Sequence, residues 1–499
     1  MIPRDSQLVR TAHSAILQAI NAPETVDIPT ALESVRVVLN ELLLRENDAF
    51  FVSYYDDGYR LAEEAIAFLK ATPVAKAQPP ALPAKFAYSG DDRPLAAANL
   101  ELTRVNDRLT DILSRTPGPE ASRLLEKFVS WELKLHGYRM QIAESRVKGG
   151  DTTMSKLNAE SFEPYLRKKK PEWKNVRVKS FRRQPGGFSK FTCLVDLHDD
   201  VNGDHSVVIR AEPPRFMLDL EGMEITKEYP VLRFAYEAGL PVPEPLLLED
   251  DPSHLGMRFV LARKSKGSVK GSVKGSDQKI PESALKDVIA LMARIANTPV
   301  PRDNPLIQAS HLKRWVAHKT LPENTRDFMG YWRQVGIDGN APPSPLVTRG
   351  YNWLFDNVPE EMAPPVFIHG DVGFHNILFD GDKIMALLDW ENSRVGDPAE
   401  ELTLFISGTA NQASREQILE WYREAGGPEI SEYRLRYFDV YQAMKLIVSA
   451  QTCLQRVEEQ AESSIHLAVF GLQYLYYIGQ KLNDLIKVAE DAKARAGRR

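Results

Sequence analysis

The chain has 499 residues, with 68 acidic and 63 basic side chains and a formal net charge of -5. This balance argues against a general nucleic-acid binder, and the length suits two or three domains with substantial cores. The two cysteines, Cys193 and Cys453, are far apart in sequence and in no metal-like spacing, so neither a disulfide framework nor a zinc site is expected.

Residues 1–150 have the apolar spacing of an all-α N-terminal module. The first residues are charged and lack the apolar run of a signal peptide, and residues 467–478 are too short to span a bilayer, so we expect a cytoplasmic protein with no membrane partner. A Pro- and Ala-rich stretch at 72–94 predicts either a linker or a wrapped loop. Neighbouring aromatics at 50–55 are more typical of a core or interface than of an exposed binding surface.

A β-rich segment follows the module. Strands are predicted within residues 176–211, on both sides of a loop that contains Gly186, Gly187 and Ser189. Glycines let backbone amides approach phosphates, although two adjacent glycines between strands are also an ordinary turn. Further on, the Lys-Gly-Ser repeat at 266–276 predicts a flexible loop, with a basic lid over phosphates as the alternative.

The stretch 366–402 carries the chemistry. A β-prone run ends at Asp371, an amide follows at Asn376, and a predicted two-stranded hairpin ends on Asp389. A carboxylate can accept or orient a substrate hydroxyl, while carboxamide and carboxylate oxygens suit the magnesium that bridges nucleotide phosphates. Together the three side chains predict phosphoryl transfer, against the alternative of an ordinary hairpin with solvated loop acids.

The residues of this stretch resemble the signature of the aminoglycoside phosphotransferase family of small-molecule kinases: His369, Gly370, Asp371, Asn376, Asp389 and Trp390. The resemblance implies an α+β, two-lobed protein-kinase-like fold, with a small antiparallel β lobe and a large helical lobe, here preceded by the all-α module. It also implies that Asp371 is the catalytic base, that Asn376 and Asp389 bind Mg2+, and that His369 supports the loop.

Two further acids lie beside this signature. Asp397, in a Gly-Asp-Pro sequence, is predicted as a supporting loop tie rather than a ligand. Glu391 is either a substrate contact or a surface acid, and the sequence does not decide between them.

The resemblance extends to a set of predicted nucleotide-binding residues: Gly186, Gly187, Ser189, Arg210, Glu228, Leu261 and Ala262. Arg210 stands where the commonest family pattern has a lysine, and a guanidinium can still grip phosphate oxygens through a bidentate fork. Glu228 is the predicted partner of Arg210, with Glu224 as a rival on the same helix face.

The predicted organisation is therefore a helical module at 1–150, a small nucleotide-binding lobe at 151–262, and a large lobe at 263–499 with the catalytic loop and the acceptor-site helices. We expect an enzyme that uses ATP and Mg2+ to phosphorylate a hydroxyl of a small molecule, with no nucleic acid as partner. The acceptor could be an aminoglycoside, a sugar, a choline-like alcohol or a hydroxyacyl thioester, and the oligomeric state stays open.

Two other functions compete with this one. A protein kinase is disfavoured because the chain has His-Gly-Asp in place of His-Arg-Asp, Asp-Trp-Glu in place of Asp-Phe-Gly, and no Ala-Pro-Glu downstream. A nucleotide-binding pseudokinase scaffold, with the N-terminal helices as a partner platform, stays open because the expected lysine is replaced by Arg210.

Overall fold

The computed structural model describes residues 48–72, 78–86, 92–140, 157–184, 190–213, 216, 218, 220–271, 276, 279–338, 343–458 and 465–498. They belong to two compact units. Unit 1 comprises the described residues of Met1–Gly150, Phe328–Val358 and Val440–Arg499, and unit 2 comprises those of Asp151–Asp327 and Pro359–Asp439. Each unit is described by itself below.

The described elements are numbered here in chain order. The helices are α1 (Asp48–Ala71), α2 (Asp92–Ser114), α3 (Pro119–Met140), α4 (Ala159–Lys169), α5 (Ile225–Glu237), α6 (Glu282–Ala296), α7 (Pro305–Ala309), α8 (Leu312–Trp315), α9 (Leu321–Asp338), α10 (Pro345–Asp356), α11 (Pro398–Gly408), α12 (Arg415–Glu424), α13 (Glu432–Glu458) and α14 (Ile465–Ala496). The strands are β1 (Arg177–Gln184), β2 (Phe191–Asp199), β3 (Gly203–Ala211), β4 (Pro245–Glu249), β5 (Phe259–Arg263), β6 (Val366–Ile368), β7 (Ile377–Asp380), β8 (Lys383–Leu387) and β9 (Arg394–Gly396).

Unit 2 begins with an antiparallel sheet of five strands in the order β1-β2-β3-β5-β4. Side chains alternate between the two faces of a strand, and in β2 and β3 every second residue is apolar and buried: Cys193, Val195, Leu197, Val207, Ile209 and Ala211. Helix α4 packs Phe162 and Leu166 into the same core. The period-two pattern therefore builds one covered face, and the strands end beside the loops that carry the site.

Short strands and helices complete unit 2. Strand β6 pairs with β9, and β7 pairs with β8 in a hairpin that turns at Gly381, where φ is +58°. The strands predicted before Asp371 and Asp389 are thus present, whereas β9 was not predicted. The unit also contains α5 to α8, α11, α12 and the first parts of α9 and α13. A small antiparallel sheet with many helices confirms the predicted α+β class.

Unit 1 is helical in its described part. Its core includes Tyr54 and Tyr55 of α1 and Trp131 of α3, and the Tyr54 and Trp131 rings stack with centroids 4.6 Å apart. The Trp131 indole N-H also donates to the Tyr54 carbonyl oxygen at 2.8 Å. Both tyrosines are almost fully buried and Phe51 packs against the same core, which confirms the core interpretation for these three residues, while the Phe50 side chain lies outside the described part of the structure.

The described part of the Pro- and Ala-rich stretch packs on unit 1. Tyr59 donates its hydroxyl hydrogen to the Pro83 carbonyl at 3.0 Å, and the Phe86 amide donates to the Tyr55 hydroxyl at 3.0 Å. Leu82 and Phe86 pack against the helical core. Residues 78–86 therefore behave as a wrapped loop rather than as a free linker.

The three-part domain organisation remains a prediction. In the structure, the N-terminal helices share a compact unit with 328–358 and 440–499, which the sequence assigned to the large lobe. Helices α9 and α13 each have residues in both units. The predicted boundary at 150 lies outside the described residues.

Two further observations concern composition. Across the described ranges, no helix combines the length and apolar character needed to cross a membrane. Cys193 and Cys453 are both buried thiols.

Candidate active site

The loop after β6 is fixed by backbone hydrogen bonds to one buried carboxylate. The Glu401 Oε1 atom accepts from the amides of His369 and Gly370, at 2.7 and 3.0 Å. Gly370 has φ +78°, and a Cβ at this position would lie 2.4 Å from the Asn392 carbonyl oxygen. Only glycine fits here, because a side chain would meet both a left-handed backbone and a steric clash.

His369 lies under the loop as a neutral, fully buried ring. Its Nε2 atom lies 2.9 Å from the Leu388 carbonyl oxygen, and its Nδ1 atom accepts from the Asp371 amide at 3.3 Å. The ring also packs edge-on against Trp390, with centroids 4.7 Å apart. Burial lowers the pKa of His369 to about 4, so the ring is neutral near pH 7, with Nε2 as the donor. His369 therefore links the segment that carries Asp371 to the segment that leads to Asp389.

Asp371 and Asn376 are brought together directly. The Asn376 Nδ2 group donates to the Asp371 main-chain oxygen and to its Oδ2 atom, both at 3.0 Å. The amide nitrogen is therefore directed at Asp371, and the amide oxygen takes no part in these two bonds. The Leu388 amide donates to the Asn376 carbonyl at 2.7 Å, which places Asn376 beside the end of β8. A neighbour that the sequence analysis missed is His375, whose Nε2 atom lies 3.5 Å from Asp371 Oδ2.

Asp389 follows β8 in a conformation that is uncommon for a residue with a side chain. Its φ and ψ are 68° and 64°, in the left-handed region, and such residues concentrate at functional sites. The Arg210 Nη2 group donates to Asp389 Oδ1 at 2.5 Å, and 26% of the aspartate side chain is exposed. Burial raises the pKa of Asp389, but Arg210 and Lys190 outweigh that effect and bring it to about 2. The carboxylate is therefore ionised and partly accessible.

Arg210 and Asp389 belong to a group of five charged side chains that we call the charge cluster: Lys190, Arg210, Glu228, Asp389 and Glu391. Glu228 has two cationic neighbours, the Lys190 Nζ atom at 2.9 Å from Oε2 and the Arg210 Nη1 atom at 3.6 Å from Oε1. The predicted pair of Arg210 and Glu228 is thus an ion pair without a hydrogen bond, and Lys190 is the closer partner.

Glu391 is the fifth member of the charge cluster. It is buried, and its Oε2 atom accepts from Lys190 Nζ at 2.5 Å. Burial and the nearby Asp389 carboxylate raise the pKa of Glu391 to about 7. The surface-acid alternative for Glu391 is therefore wrong, while a substrate contact stays a prediction.

Other predicted residues lie in the five-stranded sheet or outside the described chain. Gly186, Gly187 and Ser189 are outside the described residues. Leu261 and Ala262 lie in β5, which pairs with β3 on one side and β4 on the other, so their backbone groups serve the sheet and adenine contact stays a prediction.

Both oxygens of the Asp397 carboxylate accept hydrogen bonds from neighbouring residues. Its Oδ1 atom accepts from the Ala399 amide at 2.9 Å, which caps α11, and both carboxylate oxygens accept from Arg434, at 2.6 and 3.0 Å. These bonds occupy the carboxylate, as expected for a loop tie.

The described part of the Lys-Gly-Ser repeat runs along the β7-β8 hairpin. Ser268 and Phe379 exchange backbone hydrogen bonds of 3.0 and 2.9 Å, and Lys270 pairs with Asp382 at 2.8 Å. Residues 272–275 lie outside the described chain, and a lid over phosphates stays a prediction.

The groups able to hold a divalent cation are the Asn376 amide oxygen and the Asp389 carboxylate. Within the described chain, no set of three or more His, Cys, Asp or Glu side chains is arranged for a metal. Magnesium at nucleotide sites needs fewer, because one or two protein oxygens are completed by phosphates and water. The donor set therefore fits a magnesium-nucleotide complex.

Comparison with known proteins defines the class. Residues 185–446, more than half of the chain, match the model of the phosphotransferase enzyme family (APH). The chain belongs to this family, which confirms the resemblance seen in the sequence.

Three individual proteins that the chain resembles have sequence identities to it of 26% or less. Acyl-CoA dehydrogenase family member 11 of Pongo abelii is 26% identical over 205 residues, which is 41% of this chain and 25% of the relative. The chain thus spans about a quarter of the length of the curated relatives it matches. A putative aminoglycoside phosphotransferase from Ralstonia eutropha JMP134 has a TM-score of 0.47 at 19% identity, covering 68% of this chain and 98% of that one. Macrolide 2'-phosphotransferase MphH from Brachybacterium faecium has a TM-score of 0.44 at 16% identity, covering 63% and 98%.

Proposed function

We propose that the protein moves the γ-phosphoryl group of ATP to a hydroxyl of a small molecule, with Mg2+ as cofactor. The observation that carries the proposal is the arrangement around His369, where Asp371 and Asn376 are hydrogen-bonded to each other and the segment ending in Asp389 is tied to both. A base, an amide oxygen and an ionised carboxylate on one pair of loops are what positioning and charge neutralisation in phosphoryl transfer require.

Asp371 is the proposed base. Its carboxylate, one quarter exposed, accepts the hydrogen bond of the incoming hydroxyl and takes up its proton as the new P-O bond forms. Asn376 holds Asp371 through its amide nitrogen, so that one amide orients the base and offers its oxygen to the cation. His375, 3.5 Å from the same carboxylate oxygen, is available to receive the proton next.

Asn376 and Asp389 are the proposed magnesium ligands. The bound ion would neutralise charge on the β- and γ-phosphates. Arg210 would share its donors between Asp389 and the phosphates, which a planar guanidinium with five N-H groups permits.

The acceptor class has to be found by experiment. The panel should contain aminoglycosides, sugars, choline-like alcohols and hydroxyacyl thioesters, the last also because acyl-CoA appears in the names of the sequence relatives. The dehydrogenase activity in those names is not proposed here, since the match covers about a quarter of their length.

The test is a search for phosphorylated products by mass spectrometry. Purified protein is incubated with ATP, Mg2+ and either the panel or a metabolite extract, beside Asp371→Asn and the matched control Asp380→Asn, an exposed acid at the end of β7. We expect a mass gain of one phosphate with the wild type and the control, and a loss of about 100-fold or more in Asp371→Asn.

The competing scaffold function gives a different pattern. ADP would bind, no compound would gain phosphate, and slow ATP turnover would be the same in Asp371→Asn as in the wild type. That result would overturn the proposed transfer reaction.

A further inference from the structure

Lys190 directly precedes β2, and its ammonium group is almost completely buried within unit 2. Only 1% of its side chain is exposed. Its Nζ atom lies 2.9 Å from Glu228 Oε2 and 2.5 Å from Glu391 Oε2. Burying an ammonium is costly unless it is paired and hydrogen-bonded, and these two carboxylates meet that requirement.

The two carboxylates come from different parts of the unit. Glu228 is in the first turn of α5, and Glu391 belongs to the short 3-10 turn at Trp390–Asn392 that follows Asp389. One ammonium group therefore joins the start of β2, the helix α5 and the segment next to the proposed metal ligand. A side chain with such a location affects the site without touching the reacting atoms.

Lys190 and Arg210 lie beside different oxygens of Glu228. Glu228 uses Oε2 for Lys190, and its Oε1 atom, 3.6 Å from Arg210 Nη1, has no hydrogen-bond partner among the residues that the structure describes. Arg210 donates instead to Asp389. Without the ammonium, Arg210 would be the remaining cation in the charge cluster and would be attracted towards Glu228.

The charge count points the same way. The charge cluster has three acidic side chains and two cations, so the acids already outnumber the cations. Removing Lys190 would leave one cation and three acids at the site where the proposed function requires a polyanionic nucleotide to bind. Like charges in a site of low dielectric repel strongly.

We propose that Lys190 is a positioning residue for phosphoryl transfer: it neutralises Glu228 and Glu391 and thereby keeps Arg210 directed at Asp389 and the nucleotide phosphates. This inference rests on the proposed function and adds a second cation, from the residue directly before β2, to the arginine of β3.

The experiment measures ADP affinity in the presence of Mg2+ by calorimetry, together with the melting temperature, so that no acceptor is needed. The variants are Lys190→Met, Glu391→Gln and the double variant Lys190→Met/Glu391→Gln. Lys190→Met alone removes the hydrogen-bonded cation of two buried carboxylates, so it is expected to melt at lower temperature and to bind ADP at least about tenfold more weakly.

The double variant separates positioning from folding. It removes one cation and one acid together, so its melting temperature should return to within a few degrees of that of Glu391→Gln. Its ADP affinity should stay about tenfold below that of Glu391→Gln, because Glu228 then competes for Arg210. If the double variant binds ADP as tightly as Glu391→Gln, Lys190 serves only to balance charge and the proposal is overturned.

The wild-type titration separates this proposal from the one on which it rests. If the wild type does not bind ADP with Mg2+, the proposed function fails and the role of Lys190 fails with it. If the wild type binds and Lys190→Met binds equally well, only the role of Lys190 fails.

Discussion

Arg210 and Asp389 are 179 residues apart in the chain, yet the arginine donates a hydrogen bond of 2.5 Å to the aspartate. The pair joins a strand of the five-stranded sheet to the residue that leaves the β7-β8 hairpin. It also gives the proposed metal ligand a cationic neighbour. The following predictions test this arrangement and the scaffold that holds it.

Replacing Asp389 with asparagine should weaken the binding of the Mg2+ that supports nucleotide binding. Asparagine tolerates the left-handed backbone of this position, so folding should be little changed, but the ionised ligand is lost. We expect the Mg2+ concentration for half-maximal ADP binding to rise about tenfold or more. Asp380→Asn, at an exposed hairpin position, should leave it unchanged, and an equal response of both variants would argue against Asp389 as a ligand.

Replacing Arg210 with methionine should act on the nucleotide rather than on the acceptor. The KM for ATP is expected to rise about tenfold or more, while the KM for the acceptor stays near the wild-type value. Arg233→Met, on the exposed face of α5, provides the same chemical change away from the site. A change confined to the acceptor KM would contradict the assigned role of Arg210.

Gly370→Ala should destabilise unit 2 more than Gly381→Ala. Both glycines have positive φ, but a Cβ at Gly370 meets the Asn392 carbonyl oxygen, whereas nothing lies within 4 Å of one at Gly381. We expect about 1 kcal/mol for Gly381→Ala from the backbone alone and roughly 3 kcal/mol for Gly370→Ala. Urea unfolding of both variants gives the comparison, and equal values would show that the loop can move aside.

Glu401 should make stability depend on pH. Burial raises the pKa of this carboxyl to about 8 in the folded protein, against 4.5 as the ordinary value. Between these values the folded state holds a proton that the unfolded state has lost, so the free energy of unfolding contributed by Glu401 falls as pH rises from about 4.5 to about 8.

Glu401→Gln should flatten that slope. The amide keeps an oxygen for the His369 and Gly370 N-H groups but does not titrate in this range. The measurement is urea unfolding at several pH values between 4.5 and 8, with Glu101→Gln, on an exposed position of α2, as control. An unchanged slope in Glu401→Gln would mean that the carboxylate is ionised throughout.

Glu132→Ala should destabilise unit 1. The buried carboxylate of Glu132 accepts from the Ser344 hydroxyl and from the Leu346 amide, both at 2.7 Å, at the start of α10. Two polar groups lose their partner in the variant, which costs about 2 to 3 kcal/mol. Thermal unfolding beside Glu101→Ala tests this, and a loss below about 0.5 kcal/mol would contradict it.

Local sequence was sufficient for the catalytic loop and the hairpin. Apolar runs of three to five residues bounded by Gly and Asp predicted β6, β7 and β8, and they placed Asp371, Asn376 and Asp389 at the ends of those elements. Family membership and the α+β class followed from the same residues. Strand β9 escaped prediction because three residues that pair only with β6 leave no periodic pattern.

Long-range pairing was beyond the sequence. Nothing local distinguishes Lys190 from a solvated lysine at a strand start, since its burial depends on Glu228 and Glu391, which are 38 and 201 residues away. For the same reason, the sequence could not show that 328–358 and 440–499 share a compact unit with the N-terminal helices. Helical periodicity reveals which face of a helix is apolar, but not which other helix covers it.

The antiparallel ladder of β6 and β9, with Ile368 opposite Arg394, has a consequence for how this enzyme class diversifies. The proposed base Asp371 follows the first strand and the proposed metal ligand Asp389 precedes the second, so main-chain geometry sets the spacing between them. Side chains around the acceptor can then be exchanged during evolution without retuning the phosphoryl chemistry. A new substrate could then be accepted after substitutions in the residues that surround the acceptor, while the spacing of the proposed base and the proposed metal ligand is unchanged.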